Sequence, residues 1–341
     1  MMQKSFLVWD LGATKCAAAL IDFDFDTDTF DCVKTTRVLL TDCQNVDELI
    51  DRVDAELGIV SSDVDAVCIA AAGRYNGEEI ELDAGYPYPM LLRQAAKKRH
   101  WRNVAIVHDY VPVVCATFTS YLQAVENTKV IIQGERERFG RRVVFGAGTG
   151  LGLKDAVLLP NGDFWLGSNE AGHIGVPFPP KAKSAECARH LDFMDFLRDE
   201  PSITMEKLLS GNGLKRMFHF LHGNNHFSAQ EISDLIHTPA ASDVLDMLAW
   251  YLGLFIGTVQ LTFMPSGGLW MTGGVILKNI SLCEHPALLE GIHASPAYQR
   301  DRDKFPLSVM IGPDYALMGC AYYASRRMLV PQSHISLEIG P

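Results

Sequence analysis

The run Val143-Val144-Phe145-Gly146-Ala147-Gly148-Thr149-Gly150-Leu151-Gly152 is an apolar, β-branched segment stopped by four glycines. A second apolar run follows over 153–159 and ends at the turn signal Pro160-Asn161-Gly162. Strand, glycine turn and strand make a hairpin. Glycine lets backbone come close to a ligand, and successive N–H groups in such a turn form a nest for an anion, typically a phosphate. A dinucleotide fingerprint needs a helix directly after its glycines, and the strand signal after Gly152 disfavours that reading. A flexible hairpin without a ligand is the alternative.

The chain opens with a hairpin of the same kind. Residues 5–9 read as a strand, Asp10-Leu11-Gly12-Ala13-Thr14-Lys15 as a tight turn, and 16–23 as the returning strand. Here an acid ends the incoming strand. A carboxylate beside a phosphate-binding turn suits Mg2+, held directly or through water. Thr14 can hydrogen-bond a phosphate oxygen, and Lys15 adds positive charge. Asp10 as an ordinary turn former is the alternative.

From this hairpin the chain continues with a strand over 33–40 and a helix over 45–57, whose Val46, Leu49, Ile50 and Val53 share one side. Then come a strand over 64–72, a helix over 91–99, a strand over 104–107 and a helix over 111–122. Antiparallel strands followed by βα units imply a mixed sheet with a parallel portion. The same grammar restarts at 129–133 and continues through the glycine hairpin. Helices follow at 188–198, 205–209, 214–221, 229–236 and 243–264. A strand at 268–271, a helix at 275–281, a strand at 307–311 and a helix at 313–328 complete it. The repeat is one of architecture, not of letters. Two related units with a cleft between them would gather the glycine turns around one nucleotide.

The 341 residues suggest two domains. A net charge of −11 argues against a nucleic-acid partner bound over a broad basic face. None of the eight cysteines forms a C-x-x-C pair, so they read as buried small hydrophobes of a reducing compartment rather than a zinc site. The N-terminus does not read as a signal peptide. The apolar window 245–264 carries Asp246 and Gln260 and reads as a buried helix rather than a membrane span. The expected location is the cytoplasm, with no membrane partner.

Four further places carry chemistry. Asp109 stands where a strand meets a helix, positioned as a general base for a substrate hydroxyl with His108 beside it; helix capping is the alternative. Glu170 and His173 sit three apart among Gly167, Gly172, Gly175 and Pro177, which favours a loop presenting them to polyhydroxyl oxygens over a helical metal pair. Glu206, taken locally, is a solvated helix charge. Thr272-Gly273-Gly274 follows a strand and opens a helix, a place for backbone to meet a nucleotide.

Together these motifs resemble the bacterial glucokinase family, within the hexokinase and actin superfamily, over nearly the whole chain. Asp10 to Lys15 resembles its first phosphate motif, with Ala13 in place of a second glycine. Gly146 to Gly152 is similar to the second phosphate motif in full. Asp109 falls on the catalytic base, and His108 replaces the family's asparagine. Glu170-Ala-Gly-His173 resembles the sugar motif, Glu206 the helix with a further sugar contact, and Thr272-Gly273-Gly274 the adenosine motif. The Thr-Asn segment expected after the fourth strand is not evident in Leu82 to Tyr88. The zinc motif of the related ROK kinases is absent, and no helix-turn-helix precedes Asp10.

The resemblance implies a two-domain actin-like ATPase (ribonuclease H-like) fold, each domain a mixed five-stranded sheet with flanking helices. The small domain would span 1–110, with the C-terminal helix at about 312–330 packing back on it, and the large domain 111–311. It implies an ATP-dependent hexose kinase using Mg2+. Asp109 would be the base. His108, Glu170, His173 and Glu206 would bind sugar. Asp10, Gly12, Ala13, Thr14, Lys15, Gly146, Ala147, Gly148, Thr149, Gly150, Gly273 and Gly274 would bind ATP, with Asp10 at the metal. Glucose is the first expectation. Another hexose or an amino sugar, or a non-catalytic sugar sensor, are the alternatives, and a homodimer is open.

Overall fold

A computed structural model describes residues 3–75, 79–82, 86–177, 185–223, 226–328 and 336–338. In chain order the first elements are β1 (Gln3–Leu11), β2 (Lys15–Asp24), β3 (Thr29–Leu39), α1 (Val46–Leu57), β4 (Ala66–Ala71), β5 (Gly73–Tyr75), β6 (Ile80–Leu82), α2 (Leu92–Lys98), β7 (Val104–His108) and α3 (Tyr110–Ala116). Next come β8 (Thr128–Ile132), β9 (Arg142–Ala147), β10 (Leu151–Leu158), β11 (Phe164–Leu166), α4 (Ala185–Phe196), α5 (Met205–Leu209), α6 (Gly211–His222), α7 (Ala229–Leu235) and α8 (Ser242–Phe263). The last are β12 (Gly268–Thr272), α9 (Gly274–Lys278), α10 (Pro286–Ile292), α11 (Gln299–Arg302), β13 (Leu307–Met310), α12 (Tyr315–Met328) and β14 (Ser336–Glu338). Two compact units result. The first takes residues 1–127, 160–168 and 312–341, and the second 128–159 and 169–311.

In the first unit the sheet runs β14-β7-β4-β1-β2-β3. Five of these strands match the expected set, and the short β14 adds a sixth, parallel to β7. Side chains alternate across a strand, and both faces of β1 are buried. Leu7, Trp9 and Leu11 pack with Leu49, Ile50 and Val53 of α1. Phe6 and Val8 pack with Val111 of α3 and Leu317 and Ala321 of α12. Asp10 has the parity of Phe6 and Val8, so its carboxylate enters the face covered by α3 and α12. These two helices approach closely: a Cβ at Gly319 would lie 1.8 Å from the Pro112 carbonyl oxygen.

Local chemistry sets the ends of the elements. Asn45 caps α1 by accepting the Glu48 N–H at 2.9 Å, and Gly58 at φ +73° ends it. The helix expected over 111–122 stops at Ala116. There the Thr117 and Thr119 hydroxyls bond the carbonyls of Val114 and Ala116, both at 2.7 Å, and a separate 3-10 turn follows at Ser120–Gln123. The helix expected over 275–281 ends at Lys278, where Asn279 bonds back to the Val275 carbonyl. The three-residue strands β5, β6 and β11 are too short to show a period. Within the segment 82–88, residues 83–85 lie outside the described residues.

The strands of the second unit run β10-β9-β12-β13-β8. As in the first unit, an antiparallel hairpin (β9–β10) adjoins parallel strands (β9, β12, β13). Helix α8 is long and apolar enough to cross a membrane, yet most of it is buried in this unit, where Phe255 stands edge-on to Phe145 of β9. Cys16, Cys43, Cys68, Cys115, Cys283 and Cys320 are buried, whereas Cys32 is exposed because it lies on the edge strand β3. The side chain of Cys187 is outside the described residues.

Candidate active site

In an α/β sheet, ligands gather beyond the carboxyl ends of parallel strands. In the first unit those ends are aligned by register: Leu11 pairs with Ala71, and Ala71 with His108. Asp10 therefore stands at the end of β1 and Asp109 just past the end of β7. Burial, reinforced by the negative charge of Asp109 and partly opposed by Lys15, pushes the Asp10 carboxyl up to about 6. The turn after Asp10 closes through Gly12 N–H to the Lys15 carbonyl at 3.0 Å. Ala13 is half-buried, and Thr14 and Lys15 are exposed.

Asp109 precedes α3 with helical backbone angles, φ −56° and ψ −31°, and its side chain caps nothing. Its Oδ1 instead lies 2.9 Å from His108 Nδ1. The same nitrogen is 3.4 Å from the Tyr110 N–H. One nitrogen cannot accept from the amide while donating to the carboxylate, and the shorter contact assigns its proton toward Asp109.

The second unit holds the other hairpin. Gly148 N–H bonds the Gly150 carbonyl at 2.8 Å, and Gly211 N–H bonds the Gly148 carbonyl at 2.9 Å. Gly273 has φ +96°, and a Cβ there would lie 2.3 Å from the Ala147 carbonyl oxygen. Only glycine fits that place, for both conformation and space. Gly146, Ala147, Gly148, Thr149, Gly150, Gly273 and Gly274 are thus drawn together. A cavity of about 350 Å³ opens beside them, with Gly148, Thr149 and Gly274 in its wall, a volume within the usual range for small-molecule sites. Its other walls include Gly211, Leu214, Ala229, Gln230, Ser233 and Lys278. Sequence reading missed these as site residues, because on α6, α7 and α9 they carry only ordinary helical spacing.

Glu206 is not a solvated helix charge. Its Oε2 accepts the Leu151 N–H at 3.1 Å, and its Oε1 lies 3.7 Å from His173 Nδ1. Thr204 caps α5 and starts the helix that presents it. Glu170 and His173 flank the 3-10 turn Ala171–His173, closed by His173 N–H to the Glu170 carbonyl at 3.0 Å. Both are exposed. Gly172 between them is packed on β10, where a Cβ would lie 2.0 Å from the Leu151 carbonyl oxygen. The second unit therefore brings Glu206, His173 and the turn that follows Glu170 to the second glycine hairpin, at the start of β10.

Known proteins resemble this chain over most of its length. The chain is 25% identical over 334 residues to a glucokinase of Brucella suis biovar 1 (strain 1330), covering 93% of this chain and 90% of that one. It is 25% identical over 337 residues to a glucokinase of Agrobacterium fabrum (strain C58 / ATCC 33970), covering 93% and 91%. Among solved structures, a glucokinase from an Antarctic psychrotroph superposes with TM-score 0.80 at 19% identity, covering 94% of this chain and 99% of that one. The glucokinase of Balamuthia mandrillaris in complex with glucose gives 0.70 at 18% identity, covering 95% and 94%. A ROK family glucokinase of Streptomyces griseus in complex with glucose and AMPPNP gives 0.54 at 18% identity, covering 94% and 99%. These structures share the two-domain actin-like fold. The family model described as Glucokinase matches residues 7–327, and the chain belongs to that family.

Proposed function

We propose that this protein is an ATP-dependent hexose kinase, with glucose as substrate and glucose 6-phosphate as product. The observation that carries this reading is the placement of Glu206. One carboxylate meets both the strand leaving the phosphate turn, at Leu151 N–H, and His173 of the sugar motif. A protein built only to bind sugar has no need of that junction. Glucose in one solved relative, and glucose with AMPPNP in another, are the ligand classes proposed here.

Phosphoryl transfer asks for positioning and charge stabilisation more than covalent chemistry. Asp109 would accept the proton of the sugar's primary hydroxyl, with His108 orienting its carboxylate. Glu170, His173 and Glu206 would accept and donate hydrogen bonds to the remaining hydroxyls. The turns Asp10 to Lys15 and Gly146 to Gly150 would hold phosphates on backbone N–H groups, and Gly273 and Gly274 would meet the nucleoside. Mg2+ would sit beside Asp10, where burial and the nearby charge of Asp109 raise the cost of ionising the Asp10 carboxyl and a divalent cation would relieve it. When bound it would offset phosphate charge.

His108 favours a second reading, a kinase for another hexose or an amino sugar, because a bulkier group engaged with Asp109 stands where the family's asparagine meets sugar. The cytoplasm is the proposed location, and a homodimer the proposed assembly, which light scattering would check. The deciding experiment is ADP release with Mg–ATP over glucose, mannose, fructose, galactose, N-acetylated amino sugars and no sugar. Glucose-dependent release is expected. Release with one other sugar only would move the function to that sugar. Sugar binding without release would support a sensor.

A further inference from the structure

We propose that Asp155 is a positioning residue for sugar recognition: its carboxylate fixes the Asn169 amide, and the amide fixes the turn that carries Glu170 and His173. The inference rests on the sugar-binding reading above and extends it to two residues outside every motif described so far.

Asp155 lies on β10, the strand that leaves the phosphate turn, and is 2% exposed. A carboxylate so enclosed needs partners. Its Oδ1 accepts from Asn169 Nδ2 at 3.1 Å, and its Oδ2 lies 3.7 Å from Arg141 Nε. With the amide nitrogen turned to the carboxylate, Asn169 Oδ1 faces the other way and accepts the Ala171 N–H at 3.3 Å. The opposite orientation would set oxygen against carboxylate and NH2 against N–H, so Asp155 determines which way the amide points. Ala171 opens the 3-10 turn. Glu170 lies between the two ends of this relay, and His173 ends the turn.

Strand β10 thus holds the sugar motif at two points. Gly172 rests on the Leu151 carbonyl through shape alone. Asn169 is tied to Asp155 through directed hydrogen bonds. The same strand takes Glu206 at the Leu151 N–H. Glu170, His173 and Glu206 are therefore all referenced to the strand that leaves the phosphate turn. A side chain displaced by about 1 Å can cost two orders of magnitude in rate, which gives the relay its purpose.

The test compares Asn169→Ala, Asn169→Asp and the double variant Asp155→Asn/Asn169→Asp. Asn169→Asp sets two carboxylates against each other and releases the turn. In the double variant an amide at 155 donates to a carboxylate at 169, whose second oxygen still accepts the Ala171 N–H. Both bonds return, one of them reversed in direction. Expected for Asn169→Asp is a rise of about tenfold or more in the KM for glucose, with the KM for ATP within about twofold. Asn169→Ala moves the same way by less and covers the case in which repulsion prevents folding. The double variant returns the glucose KM toward wild type.

Amide hydrogen exchange at Ala171, in protein without substrates, should quicken in both single variants and slow again in the double. Equal rises in both KM values, or a double variant no better than Asn169→Asp, would overturn the proposal. So would unchanged exchange at Ala171. If the wild-type enzyme turns over no sugar, the kinase reading fails, while the exchange experiment still decides whether the relay holds the turn.

Discussion

The two glycine hairpins share a backbone plan and differ in what surrounds them. The first, between β1 and β2, carries its chemistry in charged side chains, Asp10 and Lys15. Beyond its own closing bond, its turn is met by Leu40 N–H at the Thr14 carbonyl, 2.9 Å, and by Ala72 N–H at the Leu11 carbonyl, 3.0 Å. The second has no charge from Gly146 to Leu151, and neighbours grip it: Gly211 on the Gly148 carbonyl, Gly273 against Ala147, and Glu206 on Leu151 N–H. In the first hairpin, burial tunes charge. In the second, packing fixes shape. The same letters in a motif can therefore answer to different physics, and each substitution below separates the two.

The largest effect is expected in the charged half. Asp109→Asn removes the proposed proton acceptor and nearly preserves its size, so kcat should fall by about 10³-fold, within the range for general base catalysis. Glucose affinity by calorimetry should stay within about threefold. Near-wild-type turnover would remove Asp109 as the base. The counterpart in the shaped half is Gly273→Val. Positive φ and a Cβ 2.3 Å from the Ala147 carbonyl oxygen combine strain with overpacking, at a cost of about 3 kcal/mol. Urea unfolding should show that loss, and ADP affinity should fall because the displaced backbone is the proposed phosphate turn. Unchanged ADP binding would mean that the second hairpin is not held by Gly273.

A smaller effect isolates the tuned charge. Asp10 has a folded value of about 6, above the ordinary aspartate value of 3.8. The fold thus favours the protonated acid, and its penalty appears as the carboxylate forms. Stability without Mg2+ or nucleotide should fall as pH rises from about 4 to 6 and then level off. The residue is only half-buried overall, which tempers the loss to about 2 kcal/mol. Comparing urea midpoints of wild type and Asp10→Asn at pH 4 and pH 7 subtracts the other acids. A constant difference between the two proteins would show that Asp10 does not titrate this way.

The same contrast explains how far the sequence could be read. Both hairpins were legible because glycine clusters interrupt strong apolar runs, and α8 because its apolar stretch is long. Asp109 could be placed at a strand–helix junction, but local signal could not tell whether it caps the helix, since only its backbone angles and its His108 contact show that its side chain caps nothing. Glu206 was misleading in isolation. Its partners, Leu151 and His173, lie 55 and 33 positions away in the chain, and no local pattern encodes such pairings. The helical wall of the cavity beside the second glycine turn was silent for the same reason. Asp155 carries no signal in the sequence beyond that of one polar residue in a strand, because its partner Asn169 lies 14 positions away.

The smallest effects concern glycine itself. A Cβ at Gly150 would lie 2.9 Å from Glu206 Oε2. A carboxylate at the end of a flexible side chain can move aside, so Gly150→Ala should fold, but the moved group loses the Leu151 N–H bond. The KM for glucose should rise about three- to tenfold, as expected for one charge-assisted hydrogen bond. Ala13 poses the converse case in the first hairpin, at the place where the family carries a second glycine. It is not among the non-glycine residues with positive φ, so its backbone does not ask for glycine. Ala13→Gly would add freedom to the unfolded chain without relieving strain, and should cost about 0.4–1 kcal/mol. ADP affinity and turnover should stay within about twofold. A clear gain in nucleotide affinity from Ala13→Gly would show that the methyl group obstructs the phosphates and that the first turn, like the second, is governed by shape. An unchanged affinity would leave the second glycine dispensable here, since no neighbour demands it.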